Sequence, residues 1–287
     1  MTKVNYLVPR DLEKAAKYIS EGPTETKIIA GGTDLLIALR EKRVQPSCIL
    51  DITKIPEMKL IKVEGEEVHL GAAVTCSQII EHEMLSERVQ VLTQAAKSVG
   101  SPQIRNRATL GGNIANASPA ADLVPALLAL ETLVTTYSIR GKRTFKLEEI
   151  LDRPGRTKLL PDEIIIRLSF KLPSTNSRTS FVKLGRRNAL AIARMNVALV
   201  VEFESATSAR IIKDIVMALG AVGPCAYIYH GINEFLQKKE LNESTIETAC
   251  LMVSDEVAFR LGDRSTAPYK KEAVKGIVCE ALNKVLR

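Results

Sequence analysis

The stretch that most narrows what this chain can be is Thr109–Asp122, TLGGNIANASPAAD, where paired glycines, small residues and side-chain amides follow one another without a bulky group. Gly111 and Gly112 allow backbone N–H groups to converge on an anion with no side chain in the way. Thr109, Asn113, Asn116 and Ser118 add short hydrogen-bonding side chains, and Asp122 precedes the apolar run Leu123, Val124, Ala126, Leu127, Leu128, Leu130. The reading is a phosphate-binding turn followed by a helix starting at Asp122, whose first N–H groups face a negative ligand.

A second, shorter version lies about eighty residues earlier. Lys27–Ala30 reads as a strand running into Gly31 and Gly32, then Thr33, Asp34, Leu35 and Leu36, with a helix expected from Asp34 to about Lys42. Asp34 is expected both to cap that helix and to close the turn. Neither glycine pair belongs to a GxGxxG or GxxxxGK[ST] pattern, so the ordinary dinucleotide βαβ unit and the P-loop have no support. Two strand, Gly-Gly, helix turns could hold one diphosphate between them.

The rest of the chain reads as three lobes. Asp11–Ser20 has Leu12, Ala15, Ala16 and Ile19 on one helical face, and Cys48–Ile52 is a strand, which with the first glycine turn makes a βαβ lobe. Met58–Ala73 reads as a hairpin turning at Glu64 and Gly65, Ser86–Val99 as one amphipathic helix stopped by Gly100, and Thr132–Ile139 and Glu163–Phe170 as strands. The polar segment KLPSTNSR, Lys171–Arg178, marks a boundary. Beyond it three long strands are expected, Thr179–Arg187, Asn196–Glu204 and Ala209–Ala221, then helices at Gly231–Lys239, Ser244–Val253 and Tyr269–Leu286.

Composition excludes several classes. The net charge of +7 invites a nucleic-acid reading, but Lys and Arg are scattered in pairs such as Arg186 with Arg187, aromatics are 4% and Trp is absent, so solvated surface charge or contact with an acidic partner explains it better. Five widely spaced cysteines form no CxxC or Cys/His pattern, so no iron–sulfur or zinc site is expected on this chain. The opening MTKVNYLVPRD has no signal-peptide block and no run is long enough for a membrane span, so a cytoplasmic protein is expected. His69, His82 and His230 stand apart from any nucleophile or second ligand, and no hydrolytic or metal triad is proposed.

Together, AGGTDLL at Ala30–Leu36 and SPQIRNRATLGGNIANASPAADLVPALLAL at Ser101–Leu130 resemble the FAD-binding subunit of the xanthine dehydrogenase family of molybdenum hydroxylases, over nearly the whole chain. The resemblance implies an α+β protein: a two-subdomain FAD-binding fold of the vanillyl-alcohol-oxidase/PCMH type, residues 1–55 and 56–173, plus a C-terminal domain, 174–287, with a three-stranded antiparallel sheet and helices. It implies FAD contacts at Ala30, Gly31, Gly32, Thr33, Asp34, Leu35, Thr109, Gly111, Gly112, Asn113, Ser118 and Asp122. By position, Ile165 resembles the aliphatic residue packed on the flavin ring and Lys183 the lysine near its edge. It implies no catalytic residue or metal here. Electrons would come from 2Fe-2S clusters on a small subunit, fed by a molybdopterin subunit, and leave to NAD. Thr33 and Asp34 after the first glycine pair lean toward xanthine and purine catabolism. A self-contained flavin oxidase or reductase, and a basic binding module whose glycine turns are only turns, remain open alternatives.

Overall fold

The computed structural model describes residues 4–187, 190–204 and 210–286. The first lobe contains β1 (Asn5–Leu7), α1 (Leu12–Glu21), β2 (Thr26–Ile29), α2 (Leu35–Arg40) and β3 (Cys48–Asp51), with the strands parallel in the order β1-β3-β2. The Asp11 side chain accepts from the Lys14 N–H and so caps α1, which buries Leu12, Ala15 and Ala16 as its periodicity requires. The strand β1 has only three residues, none buried, and the sequence reading missed it.

The second lobe runs through β4 (Ile61–Glu64), β5 (Glu67–Gly71), α3 (Cys76–Glu81), α4 (Glu83–Arg88), α5 (Gln90–Ser98), α6 (Pro102–Arg105), α7 (Leu110–Ala115), α8 (Leu123–Ala129), β6 (Leu133–Ser138), β7 (Gly141–Lys146), α9 (Leu147–Ile150), β8 (Leu151–Arg153), β9 (Arg156–Thr157) and β10 (Ile164–Lys171). Five of these strands form an antiparallel sheet in the order β4-β5-β10-β6-β7. The single helix expected over Ser86–Val99 is instead broken at Val89, whose φ of −127° and ψ of 50° are not helical. Apolar spacing continues across the break, so periodicity alone does not reveal it. Every residue of α8 is buried, which fits a helix that is apolar all round and packed on all sides.

The C-terminal lobe contains β11 (Ser177–Leu184), β12 (Met195–Phe203), β13 (Ile212–Gly220), β14 (Tyr227–Ile228), α10 (His230–Leu236), α11 (Glu243–Leu261) and α12 (Ala267–Leu286). The three expected strands are present and antiparallel, and the short β14 adds a fourth at the edge. Ala209, expected to open the third strand, lies outside the described residues, as do residues 188 and 189. Helix α11 runs two turns beyond the expected Val253.

Both faces of this sheet are covered. Phe181, Ala198 and Ala218 join the core of the second lobe, while Val182, Val197, Leu199 and Leu219 pack with α11 and α12. That explains why β12 reads MNVALVVEF, apolar on both faces. Small residues toward α8 permit close approach: a Cβ on Gly220 would lie 2.8 Å from Pro125 Cγ. The C-terminal lobe is therefore seated on the helix that follows the main glycine motif.

Candidate cofactor site

The chain leaves β2 at Ile29 and turns through Ala30–Asp34 into α2. Gly32 takes a φ of +74°, the left-handed region that glycine enters without strain. The backbone N–H groups of Gly31, Gly32, Thr33, Asp34 and Leu35 donate no hydrogen bond among the described residues, and the first bond of the new helix is Leu36 N–H to the Gly32 carbonyl at 3.0 Å. Five successive free donors around one turn form an anion-binding nest. Asp34 does not cap α2 as expected. Its backbone is helical, φ −103° and ψ −44°, which turns the carboxylate away from the cap position, and it accepts from Thr33 Oγ1 at 3.1 Å instead.

The main motif is built differently from its sequence reading. The helix expected from Asp122 is present as α8, but the glycines do not form the turn before it; they lie in the first turn of α7, which Thr109 caps through Oγ1 accepting from the Gly112 N–H at 3.1 Å. The first N–H groups of α7 are engaged within the protein: Leu110 donates to the Val74 carbonyl at 3.0 Å and Gly111 to the Ala72 carbonyl at 2.8 Å. Gly111 permits that approach, because its Cβ would lie 2.7 Å from Ala72 Cβ and 3.0 Å from the Ala72 carbonyl oxygen. Gly112 is exposed, and its Cβ would meet only Thr109 Oγ1.

The two glycine segments touch. A Cβ on Gly31 would lie 1.9 Å from the Arg107 carbonyl oxygen, so this glycine is packed directly on the backbone leading into Thr109. The segment 71–75 completes the cluster. Cys76 N–H bonds the Ala108 carbonyl at 3.0 Å, and Ala72 N–H bonds the Ile166 carbonyl at 3.0 Å, which ties β10 and the buried Ile165 to α7. Asn113 on α7 carries a buried Oδ1 with no hydrogen-bond partner among the described residues. Ser118 lies beyond α7, its Oγ accepting from the Ala120 N–H at 3.3 Å.

Asp122 and Lys183 are brought together with each other. Lys183 Nζ donates to Asp122 Oδ2 at 2.5 Å and to the Ser98 carbonyl at 3.0 Å, and Asn196 Nδ2 donates to Asp122 Oδ1 at 3.2 Å. Asp122 therefore makes no N-cap bond to α8; it anchors β11 and β12 to the helix. Burial pushes its carboxyl above the usual range, against the pull of Lys183. It is also close enough to Cys76 to add to the burial that raises that thiol to about 12.

Sequence reasoning missed the 71–75 segment and Asn196. The signals were present: a run of small residues, GAAVT, at the end of a strand, and one asparagine ahead of the apolar run Val197–Val201.

A nest of free N–H groups is thus clamped, glycine to backbone, against a second glycine-bearing helix start, with the buried Asn113 amide oxygen beside it. Residues 2–174 match the family model described as the FAD binding domain in molybdopterin dehydrogenase, and residues 180–285 match the CO dehydrogenase flavoprotein C-terminal domain. The chain belongs to this family of FAD-binding molybdenum hydroxylase subunits. It is 33% identical over 281 residues to the nicotinate dehydrogenase FAD-subunit of Eubacterium barkeri, covering 96% of this chain and 94% of that one. It is 27% identical to the putative xanthine dehydrogenase FAD-binding subunit of Escherichia coli K12, covering 94% and 93%. A structure of carbon monoxide dehydrogenase from Hydrogenophaga pseudoflava matches with a TM-score of 0.90 at 25% identity, covering 99% of this chain and 97% of that one.

Proposed function

We propose that this chain holds the FAD of a molybdenum hydroxylase and relays electrons between a partner subunit's 2Fe-2S clusters and NAD, with the molybdopterin centre on a third, larger chain. The observation that carries the site assignment is the run of five unpaired N–H groups from Gly31 to Leu35. These groups bind the diphosphate, with Ala30, Thr33 and Asp34 shaping the turn. Thr109, Gly111 and Gly112 hold the facing wall, and Asn113 Oδ1 accepts from a cofactor hydroxyl. Ser118 bounds the far end of α7, and Ile165 supplies an aliphatic surface for the ring.

Bound FAD supplies the capacity to take up electrons and release them as a hydride. The chain's own part is to fix that group and set its electrostatics. Lys183 is half of a buried pair with Asp122, so the cation it would present to the ring edge has a position that the carboxylate fixes. The pair also holds the C-terminal lobe on α8, coupling cofactor binding to lobe docking.

The partner's substrate is proposed to be a nitrogen heterocycle, with xanthine the first to test. Similar chains carry the names nicotinate dehydrogenase FAD-subunit, nicotine 6-hydroxylase medium subunit, xanthine dehydrogenase FAD-binding subunit and caffeine dehydrogenase subunit beta. The test is to purify the complex through a tag on this chain, identify its subunits by mass, and assay NAD reduction with xanthine, nicotinate and caffeine. Xanthine turnover in a three-subunit complex is expected. Turnover of nicotinate alone would overturn the xanthine assignment, and a chain that purifies alone and reduces its flavin with a small substrate would overturn the relay.

A further inference from the structure

Far from the cradle in sequence, α11 and α12 bring two of the five cysteines together. The helices run antiparallel and close: Ser254 Oγ donates to the Lys271 carbonyl at 2.9 Å, and one turn earlier on α11, Cys250 Sγ reaches the Lys275 carbonyl at 3.4 Å. Only short side chains let a hydroxyl and a thiol reach the neighbouring helix's backbone. Cys279 lies one turn beyond Lys275 on α12, beside the carbonyl that Cys250 Sγ reaches.

The two sulfurs differ in access. Cys250 is buried, whereas Cys279 is half-buried and receives the Asn283 Nδ2 donor at its sulfur at 3.3 Å. The other cysteines lie elsewhere: Cys48 and Cys76 are buried, and Cys225 faces the Asp152 carbonyl at 4.0 Å. We propose that Cys279 and Cys250 are a peroxide-oxidised pair in which Cys279 takes the oxidant and Cys250 resolves it as a disulfide stapling α11 to α12.

The chemistry balances with hydrogen peroxide as the two-electron oxidant. The Cys279 thiolate attacks the peroxide, an S–O bond forms, the O–O bond breaks, and the departing hydroxide takes up the proton that Cys279 released, giving a sulfenic acid and the first water. The Cys250 sulfur then attacks the Cys279 sulfur; the S–S bond forms, the S–O bond breaks, and the departing hydroxide takes the Cys250 proton as water. Two thiols are oxidised, one peroxide is reduced, and two waters result. Burial, then Cys279, raises the Cys250 thiol to about 11.

The experiment uses the holo-complex as purified, treated with equimolar hydrogen peroxide, alkylated after denaturation and mapped without reduction. A linked Cys250–Cys279 peptide is expected in the wild type and none in Cys279→Ser. In Cys250→Ser, dimedone should trap a sulfenic acid at Cys279. The oxidised wild type should melt roughly 5 °C or more above the reduced form, and dithiothreitol should abolish the difference. Oxidation of Cys279 to the sulfinic acid without a link, a link through Cys225, or five unreacted thiols would each overturn the proposal.

Discussion

Replacing Gly31 by alanine puts the clamp between the two glycine segments under direct strain. The added Cβ would lie 1.9 Å from the Arg107 carbonyl oxygen and 2.6 Å from its carbon, both rigid backbone atoms. Ordinary contact begins near 3.4 Å, so the segments must part by about 1.5 Å. A hydrogen bond stretched that far is lost. Charge-assisted bonds contribute about 1.5–3 kcal/mol each, so losing two weakens FAD binding by about 3–6 kcal/mol, on the order of a hundredfold to ten-thousandfold. The assay is titration of the apo-protein with FAD, followed by quenching of flavin fluorescence, with circular dichroism confirming the fold. Gly65→Ala is the control: its φ is positive, +64°, but nothing lies within 4 Å of its Cβ. It should cost about 1–2 kcal/mol of stability and leave FAD affinity unchanged. A folded Gly31→Ala protein that binds FAD within threefold of the wild type would refute the reasoning.

Further outcomes follow from other parts of the molecule. Lys183→Ala leaves Asp122 buried without its cation and should cost about 3–5 kcal/mol in denaturant unfolding while lowering the flavin potential; Lys183→Met with Asp122→Leu should recover much of the stability. An unchanged potential in Lys183→Ala would remove this residue from the flavin's surroundings. Gly276 is exposed in α12 with no atom near its Cβ, so Gly276→Ala should stabilise the fold by about 0.5–1 kcal/mol in the same assay. Iodoacetamide at pH 8 should spare Cys76, whose buried thiol is raised to about 12, in a native alkylation time course. The Arg140 fork holds the Asp162 carboxyl below its usual range, so its stabilising contribution is present above the ordinary carboxylate pKa and lost as pH falls through the lowered one. The stability gap between wild type and Asp162→Asn should accordingly narrow as pH falls below the ordinary carboxylate range in acid titrations.

The elements with one dominant local signal were legible. Strand, Gly-Gly and helix at Lys27–Lys42 stand where the sequence places them, and the apolar stripe of the last helix is the stripe that packs on the C-terminal sheet. The main motif was misread in its local form because two adjacent glycines each disfavour a helix by about 1 kcal/mol. Tertiary contact overrides that preference at Gly111, where only a hydrogen fits against Ala72. The same contact engages the N–H groups that the sequence suggested were free, so the available donors lie on the shorter motif instead. The Asp122–Lys183 pair spans 61 residues, and nothing local in either segment marks the other as its partner.

The most direct test of the cradle is hydrogen–deuterium exchange of the Gly31–Leu35 amides with and without bound FAD. The account expects these amides to exchange quickly in the apo-protein and to become strongly protected when FAD binds. Protection of the first turn of α7 with no change at Gly31–Leu35, in a protein carrying one FAD, would contradict it.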